Sequence, residues 1–153
     1  MRPLLIGCGD EIHKIFHDLD EAIAGLPTEA LDWAPGAEMN SISVLAAHTA
    51  GSVRYWVSDV ALGKNSTNRR REVEFQTHGL TADELRRLLQ AALADVLNAL
   101  EAFDDAELAT PRLAPSQGNT VTAGWALAHA LAHAATHLGH IQLTRQLWEQ
   151  RQL

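Results

Sequence analysis

Residues 129 to 140 read HALAHAATHLGH, with four histidines set among alanine, leucine, glycine and threonine and no charged neighbour. On an α-helix this spacing stacks His129, His133 and His137 on one face and puts His140 one turn beyond His137. Side chains four apart have Cβ atoms about 6 Å apart, close enough for two imidazoles to reach one metal ion at about 2.1 Å. Only one adjacent pair can do so at a time, so a metal site needs a further ligand. In a helical bundle that ligand comes from a facing helix.

His48 is the strongest candidate for the facing ligand. It lies on the apolar stripe of its own segment, between Ala47 and Thr49, where an unpaired polar ring would be costly to bury. His13 and His17 fall roughly 100° and 140° from the centre of their segment's stripe and read as surface residues, as does His78 beside Gly79. The HxxxH spacing alone recurs by chance, and alanine follows its first histidine, so the zincin signature with its glutamate base is absent. Spacing places no carboxylate near these imidazoles. For proton transfer the candidates are Tyr55, which projects from the His48 side of its helix, together with His129 and His140. A core tyrosine with a satisfied hydroxyl and a packed His129 are the plainer readings.

The elements that must position these residues are helical. Ile12, Ile15, Phe16, Leu19, Ile23 and Leu26 form a stripe at three-and-four spacing that predicts a first helix over about residues 9–26, ended by Pro27. Asn40 or Ser41 can cap a second helix in which Ile42, Leu45, His48, Ser52 and Trp56 share a face, running to about Leu62 before Gly63. Thr81 and Glu84 form the capping box of a third helix with the stripe Leu85, Leu88, Leu89, Ala92, Val96, Leu100 and Phe103. A fourth starts near Thr120–Thr122 and runs to about Gln150. No run alternates long enough to predict a strand, and long polar loops join the helices. Trp33, Trp56, Trp125 and Trp148 read as core or interface aromatics.

Composition removes several classes. With 46% apolar and 20% charged residues the chain should fold, and its length suits one domain. A net charge of −7 opposes binding to a phosphate backbone, and the cluster Arg69-Arg70-Arg71 with Lys64 reads as a solvated loop, so nucleic acid is not expected as a partner. From Leu113 to Thr144 there is no Lys, Arg, Asp or Glu, yet four histidines, Gln142 and several threonines make this a protein-buried helix and not a membrane span. Cys8 has no cysteine to pair with, and the start MRPLLIGCGDEIHK lacks the apolar run of a signal peptide. A cytoplasmic location is expected.

Two segments then carry a resemblance. WAPGAEMNSISVLAAH supplies Trp33, Pro35, Gly36, Ser41, Ile42, Leu45 and His48, and HAATHLGHIQLTR supplies His133, His137, Gly139, Ile141 and Arg145. In this order they resemble the DinB-like metal-binding four-helix bundles over nearly the whole chain. The resemblance implies a divalent-metal site built by His48, His133 and His137, an activity among metal-dependent transferases or isomerases that use a low-molecular-weight thiol, and a homodimer. His140 stands where many relatives carry glutamine, which leaves it either a fourth ligand or a support for one.

Three neutral histidines leave coordination positions open, as catalytic metals require. An ion so held can bind a thiol as thiolate or lower the pKa of bound water to about 7, and zinc, nickel and iron all suit imidazole. The expectation is therefore an all-α, DinB-like four-helix bundle, one domain over residues 1–153, acting with a divalent ion on a small molecule and a thiol. A metal-dependent hydrolase is the second reading. The third is a non-catalytic, stress-related metal-binding dimer, favoured if His140 closes the site. Leu127, Leu131, Ala134 and Leu138 face away from the histidines and are the expected dimer surface.

Overall fold

Apolar residues spaced three and four apart become four long helices, and the packing of two of them brings the histidines together. The computed structural model describes residues 3–151, so Met1 and Arg2 of the amino-terminal segment lie outside the described residues. Helix α1 spans Pro3–Ile23, α2 Thr28–Asp32, α3 Ile42–Arg54, α4 Arg71–Glu74, α5 Ala82–Glu101 and α6 Ala123–Arg151. Helix α3 packs on α5 and α6, and α1 packs on the same two. The stripe residues Ile12, Leu19, Ile23, Ile42, Leu85, Leu89, Val96 and Ile141 are fully buried between them, the burial that drives folding.

The helix ends follow local chemistry. Ser41 caps α3, its hydroxyl accepting from the Val44 backbone N–H at 3.2 Å. At α5 the reciprocal capping box between Thr81 and Glu84 is complete. The carboxyl end of α1 is closed by tertiary contact, because Arg145 from α6 donates through Nη1 to the carbonyls of Ala22 at 3.0 Å and Glu21 at 3.2 Å. These are carbonyls that a helix leaves without an internal partner. Arg86 of α5 forms a bidentate pair with Asp20 of α1, both bonds 2.8 Å.

Several expectations need correction. Helix α1 begins at Pro3, well before residue 9, and stops at Ile23. The second helix does run as far as expected, α3 passing directly into a π-helical stretch, Tyr55–Ala61. The loop after α5 contains a two-stranded antiparallel hairpin, β1 Pro111–Ala114 with β2 Asn119–Thr122, paired Pro111 to Thr122 and Ala114 to Asn119. Four-residue strands are too short to show a period-two pattern. The expected dimer face of α6 is core: Leu127 is 4% exposed, Ala134 is buried, and Leu131 and Leu138 pack against the core. Alanine lies on nearly every side of α6, so its neighbours, not its stripe, decide which side is buried. No helix among the described residues is long and apolar enough to cross a membrane.

Candidate metal centre

Helix α3 is buried along most of its length, and it carries His48 into the bundle facing α6. The residue is 6% exposed. Its Nε2 lies 3.4 Å from His133 Nε2, and His137 Nε2 lies 3.2 Å from the same atom. One ring nitrogen from each of the three falls within 4.8 Å of the others. The i,i+4 spacing on α6 brings His133 and His137 to one point, and α3 delivers the third ring across the interface.

The other edges of the rings are held as well. His48 Nδ1 lies 2.9 Å from Glu74 Oε2, and a carboxylate accepts, so Nδ1 carries the proton and Nε2 presents a lone pair to the cluster. Arg69 grips the same carboxylate, Nε to Oε1 at 2.7 Å and Nη2 to Oε2 at 2.8 Å. Burial pushes the Glu74 carboxyl up, but the hydrogen bonds from Arg69 and His48, with their charges, outweigh it and hold the pKa below the ordinary value. Ser52 Oγ lies 3.3 Å from His133 Nδ1. His137 Nδ1 is buried with no partner.

Burial lowers the His133 pKa to about 3, helped by the charges of His137, His48, His129 and Arg69. Burial, then His48 and His140, lowers that of His137 to about 4. Both rings are therefore neutral at pH 7, the form that ligates metals. With His48 Nδ1 donating to Glu74, the Nε2 atoms of His48, His133 and His137 meet at one point, where each can present a lone pair. A cation answers all three lone pairs. Nitrogens held at about 2.1 Å on a tetrahedral ion would be about 3.4 Å apart, and the two contacts of 3.2 and 3.4 Å fit that edge. The residues present suit a divalent ion bound by three imidazoles.

The remaining candidates take other places. His140 is exposed, its ring centroid 5.6 Å from that of His137, and it is outside the converging group. His129 is half-buried, stacked on Trp125 with centroids 4.8 Å apart and edge-on to Trp56 at 4.5 Å; burial lowers its pKa. Tyr55 accepts through its hydroxyl from the Ser116 N–H at 3.1 Å, which ties the hairpin turn to the π-helical stretch. Trp56 is buried, Trp125 is 43% exposed, and Trp33 packs on Trp148 with centroids 5.8 Å apart. His13, His17 and His78 are exposed, as expected.

Glu74, Arg69 and Ser52 escaped the sequence reading. Arg69 belongs to the expected solvated cluster, yet its side chain is only 11% exposed and that of Glu74 10%. Ser52 is on the His48 face by spacing alone and was available as a signal. For Glu74 the signal is indirect and lies in Gly51.

The model of the DinB superfamily matches residues 11–141. The chain belongs to that superfamily. Among solved structures, this DinB member resembles a conserved protein from Enterococcus faecalis at TM-score 0.75 and 17% identity, over 96% of each chain. It resembles a DinB-like protein from Bacillus cereus at TM-score 0.72 and 13% identity, over 88% of this chain and 86% of that one. A mycothiol-dependent maleylpyruvate isomerase is similar at TM-score 0.64 and 16% identity, covering 88% of this chain but 59% of the isomerase. No curated protein matches the chain. At these identities the likeness is one of fold.

Proposed function

We propose that His48, His133 and His137 hold one divalent ion, zinc, nickel or iron, and that this single-domain DinB protein is a cytoplasmic enzyme acting on a small molecule with a low-molecular-weight thiol. The observation that carries the reading is the convergence of three imidazoles, one of them oriented by Glu74. An ion bound there supplies a thiolate, or water acidified to a pKa of about 7. The chain's own residues do the rest. His48, His133 and His137 bind, and the half-buried setting between α3 and α6 limits water. Tyr55 accepts from Ser116, so its own proton is free to be donated, and the neutral ring of His129 is available one turn from His133. His140, outside the cluster, leaves the coordination open.

Fold likeness to a mycothiol-dependent isomerase favours a thiol over water as the activated group. The hydrolase reading is weakened because Glu74, the carboxylate bonded to the cluster, is already engaged by Arg69 and His48 and is not free as a base. We place the homodimer surface on the exposed, uncharged side of α6, along Ala128, Ala132, Ala135, Gly139 and Leu143.

Cobalt-loaded protein tests the thiol step. Titration with glutathione, cysteine and 2-mercaptoethanol should produce a thiolate-to-cobalt charge-transfer band that is absent in His133→Ala. A cobalt protein whose spectrum none of these thiols alters would leave water as the ligand and support hydrolysis instead.

A further inference from the structure

The segment between the π-helical stretch and α5 reads as a polar loop, yet it folds back over α3 and delivers three side chains to His48. Glu74, at the end of α4, accepts a hydrogen bond from His48 Nδ1 at 2.9 Å. Arg69 holds both oxygens of that carboxylate, and Phe75 packs on the His48 ring with centroids 4.9 Å apart. The carboxylate reaches this position by passing over Gly51. A Cβ at residue 51 would stand 2.0 Å from Glu74 Oε1 and 2.8 Å from its Cδ. Glycine in the interior of a helix is otherwise unfavourable, so its presence one turn after His48 asks for a reason.

We infer that Glu74 and Arg69 are positioning residues of the histidine cluster, and that Gly51 is side-chainless so that the Glu74 carboxylate can lie on α3 and fix the tautomer and orientation of His48. The inference rests on the metal reading proposed above and adds a dependence on a segment that contributes no ligand. A carboxylate behind a ligating histidine raises its basicity and holds its ring, and losing such a partner costs on the order of 10–100-fold in metal affinity. The fork of Arg69 prevents the carboxylate from turning away, since bidentate pairs fix geometry as well as charge.

The geometry offers a separation of roles. In Gly51→Ala every hydrogen-bonding group is kept, and the atom that must move is the far end of a flexible side chain. A cleft of about 400 Å³ beside it, lined by Gly51, Arg69, Glu74 and Leu88, gives the carboxylate somewhere to go. The substitution should displace Glu74 without unfolding α3.

The test uses the full chain with four variants: Gly51→Ala, Glu74→Ala, Glu74→Gln and the double variant Gly51→Ala/Glu74→Ala. Nitrogen-15 NMR of the metal-free wild type should show His48 protonated at Nδ1. That signature should be lost in Gly51→Ala and Glu74→Ala and kept in Glu74→Gln, whose amide oxygen still accepts. Zinc affinity should fall on the order of 10–100-fold in Gly51→Ala and Glu74→Ala, less in Glu74→Gln, with no further loss in the double variant. The melting temperature of metal-free Gly51→Ala should not fall. If Gly51→Ala does not fold, the Glu74 pair alone decides. Wild-type zinc affinity and an unchanged His48 tautomer in Glu74→Ala would overturn the positioning role and leave the metal reading intact. Zinc binding equally absent from wild type and His48→Ala would overturn the metal reading, and the tautomer of the metal-free protein would still show whether Glu74 orients the ring.

Discussion

His48 and His133 are 85 positions apart in the chain, yet their Nε2 atoms lie 3.4 Å apart across the α3–α6 interface. That separation matches the edge between two nitrogens held by one tetrahedral ion. The contact makes sense as two corners of a coordination shell, with His137 as the third.

The metal-free protein should lose stability on mild acidification. The folded pKa values of His133 and His137, about 3 and about 4, lie below the unfolded value near 6.5. The unfolded chain therefore binds protons first, and stability present above about pH 6.5 is lost as pH falls toward 4. Urea midpoints of metal-free protein between pH 7 and 4.5 should fall with pH, and less steeply in His133→Ala. Bound metal should steepen the loss, because protons compete for the same nitrogens. A flat profile in the metal-free wild type would show the rings to be readily protonated.

Thr81→Ala removes the side-chain half of the capping box at the start of α5. It should lower the unfolding free energy by about 1 kcal/mol and leave metal affinity unchanged. The capping bonds are closed between Thr81 and Glu84 themselves, so an effect on metal would mean that the bundle transmits strain from this helix end to the cluster. Chemical denaturation of the two proteins makes the comparison.

Leu127→Ala distinguishes core from interface. With Leu127 4% exposed inside the folded chain, the loss should be about 2–5 kcal/mol of folding stability with no change in sedimentation. A variant that folds as well as wild type but changes its association would return this residue to an intermolecular surface.

The helical layout was legible because each long helix has a strong local signature: the α1 stripe from Ile12 to Ile23, the Ser41 cap, the Thr81–Glu84 box. Spacing placed four histidines on one face of α6 and the apolar setting singled out His48, while the choice of His133 and His137 among the four came from the family resemblance. Glu74 and Arg69 were not legible. Both stand in a run of charges that looks solvated, and only the fold of 64–77 over α3 pairs them; Gly51, an oddity within a helix, was the one trace left in sequence. The β1–β2 hairpin was too short to show alternation. On α6 the choice of buried side was hidden by alanine, which suits core and surface equally.

Metal content bears most directly on the central claim. Untagged wild type, His48→Ala and His133→Ala should be purified alike, reconstituted with zinc, nickel or iron, and measured by plasma mass spectrometry beside their circular dichroism. The account predicts about one equivalent per chain in the wild type, lost in both variants while helicity is kept. A wild type that takes up no ion, or variants that hold as much as it does, would contradict a site shared between α3 and α6.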